Sequence, residues 1–227
     1  YFIHKMKKTL LILILSLTAI ANSFALSVKT VTVGEVHLSC PEPGEWNIEM
    51  TLEEKDGLEL VHISMSAPKE TEPARFDVSF ECPQKDVHHL WHSRTWVDRC
   101  MLKPDWLGRY NSALAQGMPL YVFCNNNNRN RLTVACSESI RFVDAVMGLR
   151  EEGAVLNGRL SFFSQAEAPI SHYEVTLLLD SRDIFWADAV RNGAQWIADA
   201  EGFEGCNAPE SAFEPLYSSW YQFHQNV

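Results

Sequence analysis

The chain has 227 residues, a formal net charge of −10 and the hydrophobic content of a globular protein. This length suits one domain of sandwich size with a short addition. It is too short for a sandwich followed by a complete (β/α)8 barrel, because such a barrel alone takes about 250 residues. The acidic balance argues against nucleic acid or an anionic membrane as a partner and suits a neutral ligand.

Residues 1–25 have the parts of a secretory signal peptide, with Met6 as the expected start. Lys7 and Lys8 form its basic end, Leu10 to Ile20 is apolar, and Ser23-Phe24-Ala25 has the small residues that a signal peptidase needs. A membrane anchor is the less favoured alternative, since a spanning helix requires roughly 20 apolar residues. We expect cleavage after Ala25, export to the periplasm or the outside of the cell, and no membrane association afterwards.

Six cysteines follow the leader, and an exported chain can oxidise them. Their spacing is wide and irregular and contains no Cys-x-x-Cys, so a zinc site is not favoured. Both disulfides and buried thiols stay open as interpretations, and no pairing is assigned. The six are Cys40, Cys82, Cys100, Cys124, Cys136 and Cys206.

Residues 26–182 alternate apolar and polar side chains in short segments separated by turn residues. One apolar face on each segment is typical of antiparallel sheets packed on one another, so the prediction is a β-sandwich in a mainly β chain. Strands are predicted over 28–33, 36–40, 46–52, 58–65, 76–80, 121–123, 132–135, 140–149, 154–163 and 173–180. Asn125-Asn126-Asn127-Asn128 predicts a tight hairpin turn, because Asn tolerates positive φ.

The region from Asp86 to Gly117 alternates poorly and is expected to be a long ordered excursion from the sandwich. His88, His89 and His92 lie there, but adjacent histidines on an extended chain point to opposite sides and no carboxylates accompany them, so metal binding is not favoured. The tryptophans of the region either stack on a sugar or pack against another domain. These residues are Trp91, Trp96 and Trp106.

A change of period after Asp180 predicts a helix from Ile184 to about Gly202, capped by Ser181 or Asp183. Its apolar face would combine residues spaced three and four apart. Residues 183–209 are therefore expected to form a linker helix and a connection. The predicted apolar residues are Trp186, Val190, Gly193 and Ile197, with Phe185, Ala189 and Trp196 beside them.

The final stretch, Glu214-Pro215-Leu216-Tyr217-Ser218-Ser219-Trp220-Tyr221-Gln222-Phe223-His224-Gln225, is aromatic, β-prone and almost uncharged. It resembles the first barrel strand of glycoside hydrolase family 36, the melibiase-like α-galactosidases. Weaker likeness continues upstream through 119–123, 130–133 and 173–177. The resemblance implies an N-terminal sandwich followed by a catalytic (β/α)8 barrel that is truncated in this chain, with residues 210–227 as its first strand.

The resemblance also implies a retaining glycosidase that acts on galactose-containing oligosaccharides without a metal or organic cofactor. Its two catalytic aspartates lie on later barrel strands, so no catalytic residue is assigned in this chain. Since a barrel's active face is at the carboxyl ends of its strands, Trp220, Tyr221 and His224 are the expected substrate-binding residues, for stacking and hydroxyl recognition. The family's sandwich leans over a barrel mouth, sometimes that of a neighbouring subunit, so a homo-oligomer is a further expectation.

Retaining glycosidases need two carboxylates about 5–5.5 Å apart. No such pair is evident here: Glu49, Glu59, Asp77 and Glu174 alternate on polar strand faces and are predicted to be solvated. Nucleophile-elbow and nucleotide-binding motifs do not occur either. Two hypotheses follow: the N-terminal portion of an exported α-galactosidase, inactive by itself, or a stand-alone exported β-sandwich that binds carbohydrate.

Overall fold

The structure is a computed structural model that describes residues 27–93, 99–112, 117–205 and 207–215. Its strands are β1 (Val28–Val33), β2 (Val36–Pro41), β3 (Asn47–Lys55), β4 (Leu58–Thr71), β5 (Phe76–Pro83), β6 (His89–His92), β7 (Cys100–Met101), β8 (Arg109–Ser112), β9 (Leu120–Cys124), β10 (Asn130–Cys136), β11 (Val143–Arg150), β12 (Val155–Phe162) and β13 (Ile170–Asp180). One α-helix, α1 (Trp186–Glu201), follows them, and Asp105–Leu107 and Glu210–Phe213 form short 3-10 turns.

The strands form two antiparallel sheets that pack face to face. The six-stranded sheet has the order β1-β2-β5-β12-β11-β8, and the seven-stranded sheet has the order β3-β4-β13-β10-β9-β6-β7. Alternate side chains of both sheets meet in one apolar core, to which Leu38 and Phe80 contribute from one sheet and Ile63 and Phe123 from the other. The predicted β-sandwich is therefore confirmed.

The described residues of the region 86–117 do not form a long excursion from the sandwich, contrary to the expectation. Strands β6 and β7 extend one edge of the seven-stranded sheet, and β8 pairs with β11 at the edge of the other sheet. These edge strands have only two to four residues. Such short strands show no sustained alternation in the sequence, which explains the wrong interpretation.

The strand predicted over 140–149 begins later, at Val143. The buried carboxylate of Glu138 accepts hydrogen bonds from the backbone amides of Ile140 (3.1 Å) and Arg141 (2.8 Å). This side chain holds residues 138–141 in a turn, so they cannot join the sheet.

The asparagine run forms the predicted hairpin turn between β9 and β10. Asn128 has a φ of 62°, and the Asn125 side-chain oxygen accepts the amides of Asn127 (3.0 Å) and Arg129 (2.9 Å). Cys124 lies opposite Asn130 in this hairpin. The thiols of Cys40, Cys82, Cys100 and Cys136 are free.

Helix α1 begins two residues after the predicted start, and neither Ser181 nor Asp183 caps it. Phe185 occupies the N-cap position without a side-chain cap, while the Asp183 carboxylate pairs with the guanidinium group of Arg129 at 2.8 Å. At the other end Gly202 adopts the left-handed conformation that closes many helices.

Helix α1 packs on the outer face of the seven-stranded sheet. Ala189, Gly193 and Ile197 are its buried residues. A Cβ atom at Gly193 would lie 2.5 Å from Cδ1 of Leu120, so this glycine permits close approach of the helix to β9. No helix within the described ranges is long and apolar enough to span a membrane. The predicted signal peptide and residues 216–227 lie outside those ranges.

Candidate functional site

A cleft of about 390 Å³ lies on the outer face of the six-stranded sheet, on the side away from the core. We call it the Trp106 cleft. Its floor is made by β5, β12, β11 and β8, and its wall is the 3-10 turn Asp105–Leu107. The polar and aromatic side chains that line it are Ser79, Glu81, Asp105, Trp106, Arg109, Arg150, Asn157 and Arg159.

The register of the sheet places the floor residues in two rows. Glu81 pairs with Asn157, which pairs with Gly148 on β11. In the next row Arg159 pairs with Val146, which pairs with Arg109 on β8. Because side chains alternate along a strand, both rows point away from the buried residues Leu156, Gly158 and Leu160 of β12.

The wall is fixed to β11 by its backbone. The amide of Leu149 donates to the Lys103 carbonyl (2.9 Å), and the amide of Met147 donates to the Gly108 carbonyl (2.8 Å). Gly148 makes this approach possible, because a Cβ atom there would lie 2.7 Å from the Cα atom of Asp105. The turn therefore lies directly against the sheet.

Trp106 is 65% exposed although it stands on this fixed turn. In the same cleft, the Asn157 side-chain amide donates to the Asp105 carboxylate at 3.1 Å. Asn157 Oδ1 is buried and accepts no hydrogen bond from the described residues. An acceptor of this kind can take a donor from a ligand.

Arginine side chains dominate the charge of the cleft. Arg150 binds the Glu81 carboxylate, and this hydrogen bond raises the pKa of Arg150. Arg159 Nε lies 3.8 Å from Asp77 Oδ2, beyond hydrogen-bonding distance. Arg109 is exposed and forms no ion pair or side-chain hydrogen bond with any described residue. The cleft thus combines a flat aromatic ring with polar groups that are only partly used within the protein.

The other tryptophans differ in position. Trp91 is half-buried and packs in the apolar cluster under α1, so it serves packing. Trp96 lies outside the described residues, as do the predicted substrate-binding residues Trp220, Tyr221 and His224.

Histidines of the same region make ordinary contacts. His88 Nδ1 lies 3.7 Å from the Asp86 carboxylate, and the His92 ring lies 4.2 Å from the Tyr110 ring, measured between centroids. Within the part of the chain that the structure describes, no group of three or more His, Cys, Asp or Glu side chains is placed to hold a metal ion.

Two of the acids predicted to be solvated are exposed, namely Glu49 and Glu174. Asp77 is instead half-buried and pairs with Arg75 at 3.4 Å. Glu59 is also half-buried, and this burial raises the pKa of its carboxyl group. These two are therefore less solvated than predicted.

Sequence reasoning singled out Trp106 as one of three tryptophans but missed Asp105, Arg109 and Asn157. No sequence motif connects them, since they lie on a turn and two different strands. Asn157 within β12 carried a weak signal, because Asn is depleted in strands.

No protein-family model and no curated protein sequence matches this chain. Among solved structures, an Escherichia coli K12 protein described as an aldose 1-epimerase is similar, with a TM-score of 0.40 and 10% identity over 70% of this chain and 69% of that one. The α-N-acetylgalactosaminidase NagBb from Bifidobacterium bifidum, in complex with GalNAc, has a TM-score of 0.36 and 9% identity over 77% of this chain and 39% of the enzyme. Its ligand-free structure has a TM-score of 0.34. Because these TM-scores are low, the similarity does not assign an activity to this chain.

Proposed function

We propose that this sandwich binds carbohydrate in the Trp106 cleft. The observation that supports the proposal is an exposed indole on a fixed turn, next to polar groups that point out of a rigid sheet. A pyranose has one face of C–H groups that packs on an aromatic ring, and hydroxyls at its edge that need donors and acceptors. Trp106 provides the aromatic ring for the C–H face, and Asn157, Asp105 and Arg109 provide hydrogen-bond partners for the hydroxyls.

We further propose that the intact protein is an exported retaining α-galactosidase of the kind found in glycoside hydrolase family 36. The resemblance of residues 214–225 to that family's first barrel strand supports this, as does the order of sandwich followed by helix. A galactose-containing oligosaccharide is then the substrate, with Trp220, Tyr221 and His224 at the galactose subsite. The alternative is a stand-alone exported carbohydrate-binding sandwich, which the Trp106 cleft favours because it needs no other domain.

Trp106→Ala tests the binding proposal, with Phe213→Ala as a control for the loss of another exposed aromatic ring. Phe213 is 81% exposed and lies outside the cleft. Titration calorimetry with galactose-containing oligosaccharides should show affinity reduced about tenfold or more for Trp106→Ala only. The magnitude is taken from rings stacked on aromatic side chains, which contribute roughly 1–3 kcal/mol each in the case of nucleobases. Equal affinity in both variants would reject the cleft as a carbohydrate site, as would a parent protein that bound neither neutral nor acidic oligosaccharides.

The enzymatic proposal has a separate test. The coding frame is read beyond Val227, and the complete product is assayed for hydrolysis of a terminal α-galactoside. A frame that continues for the length of a barrel and a product that releases galactose would support the galactosidase. A stop codon directly after Val227, or a complete product without activity, would leave the stand-alone binding module.

A further inference from the structure

The Trp106 cleft has a local charge opposite to that of the whole chain. The chain carries a formal net charge of −10. Three arginines line the cleft, Arg109, Arg150 and Arg159, against the two carboxylates of Glu81 and Asp105. A positive excess in a concave site of an acidic protein attracts an anion locally while the rest of the surface repels it.

Arg109 is the arginine available to a ligand. Arg150 is bound to Glu81, and Arg159 lies near Asp77, which also pairs with Arg75. Both acids of the cleft are engaged as well, since Asp105 accepts the Asn157 amide. Within the described part of the chain, no side chain forms an ion pair or hydrogen bond with the Arg109 guanidinium.

The position of Arg109 fits a group attached to a sugar that lies on Trp106. The two residues are three apart in sequence, Trp106 in the middle of the fixed turn and Arg109 at the start of β8. Arg109 and Arg159 lie on either side of Val146 in one row, so their Cα atoms are about 10 Å apart, which is two strand spacings. The Val146 side chain, which also lines the cleft, lies between them in this row.

We propose that the ligand of the Trp106 cleft is an anionic saccharide, such as a uronic acid residue, whose carboxylate is bound by Arg109. This inference rests on the proposed carbohydrate binding. A guanidinium group matches a carboxylate with two parallel hydrogen bonds, and such charge-assisted bonds are about twice as strong as neutral ones. The acidic surface elsewhere restricts the anion to this cleft and disfavours a nucleic acid, which needs a broad basic surface.

The experiment compares a matched pair of probes, oligosaccharides of galacturonic acid and of galactose, which differ in the carboxylate. Calorimetry is performed on the parent protein, Arg109→Gln and Arg191→Gln. Arg191 is a suitable control because it lies on α1, which packs on the other sheet, and its side chain is 76% exposed. The control changes the net charge of the protein by the same amount.

We expect the parent protein to prefer the uronate roughly 10- to 100-fold, and Arg109→Gln alone to lose this preference. The preference should also weaken with added salt. Equal binding of both probes by the parent protein would overturn the anionic ligand. An undiminished preference in Arg109→Gln would overturn Arg109 as the residue that binds the carboxylate, and either result would leave carbohydrate binding intact. Absence of binding to both probes would reject the carbohydrate site itself.

Discussion

Replacing Gly148 by alanine tests whether the wall of the Trp106 cleft depends on a close backbone contact. The new Cβ atom would lie 2.7 Å from the Cα and N atoms of Asp105 and from the Lys103 carbonyl oxygen. Carbon atoms in good contact are about 3.5–4.0 Å apart, so the turn must move away by roughly 1 Å. That shift strains the hydrogen bonds to the amides of Met147 (2.8 Å) and Leu149 (2.9 Å).

The expected loss of stability is about 2–4 kcal/mol. Overpacking a tight contact costs about 1–3 kcal/mol, and each weakened hydrogen bond up to about 0.5–1.5 kcal/mol. Urea unfolding followed by circular dichroism measures this free energy. Gly205→Ala is the matched control, because a Cβ atom at Gly205 meets nothing within 4 Å and its φ is not in the positive region. It should not destabilise the protein, since alanine restricts the unfolded chain.

The reasoning would be refuted if Gly148→Ala unfolded at the same urea concentration as Gly205→Ala and bound the Trp106 ligand as the parent protein does. A loss of binding without a loss of stability would place the clash in the ligand site and not in the turn. That result would contradict the stated role of Gly148 in fixing the wall.

Two further predictions concern buried polar groups. Asn130→Ala should lower the free energy of unfolding by about 2–4 kcal/mol. The buried Asn130 amide donates to the Asp180 carbonyl (2.9 Å) and accepts from Thr133 Oγ1 (3.0 Å), and both hydrogen bonds would be lost. An unchanged midpoint of urea unfolding would contradict this. Burial raises the pKa of Tyr173, and its hydroxyl donates to the Glu138 carboxylate at 3.0 Å. The protonated hydroxyl therefore stabilises the folded protein fully below the unfolded pKa near 10, and this contribution is lost as the pH rises above that value. Tyr173→Phe should therefore be less stable than the parent protein at pH 8. Between pH 10 and 11 the free energy of unfolding of the parent should fall more steeply than that of the variant, by up to about 1.4 kcal/mol per pH unit. Parallel pH profiles of the two proteins would contradict the raised pKa of Tyr173.

The sandwich and the helix could be predicted because their signals are periodic and local. Alternation along β3, β4 and β12 and the three- and four-residue spacing in α1 follow directly from the geometry of strands and helices. The end of α1 could also be predicted, since Gly202 is the glycine that adopts the left-handed conformation there. Its start could not be predicted, because Asp183 is held by Arg129 of the hairpin turn and Arg131 of β10, contacts that depend on tertiary structure.

The cleft could not be predicted because it depends on register and on contacts between distant parts of the chain. Asp105 and Gly148 are neighbours only after β8 has paired with β11, and Arg109 faces Arg159 only through Val146. In the sequence these are separate polar residues on different segments. Trp106 could be recognised as a candidate by its residue type, but nothing local distinguished it from Trp91, which packs under the helix.

The two outer faces of the sandwich explain why the proposed ligand site lies on the six-stranded sheet. The outer face of the other sheet presents Leu120, Val122 and Leu178, and α1 covers it with Ala189 and Ile197. The outer face around Trp106 is polar instead, so it needs no cover to be stable in water, and its floor strands are held from below by the core. Rigid support with open polar groups is what a binding site requires, because little conformational freedom is then lost when the ligand binds. Since α1 and the cleft lie on opposite faces, substitutions at Trp106 and Arg109 change the site without disturbing the packing of the helix.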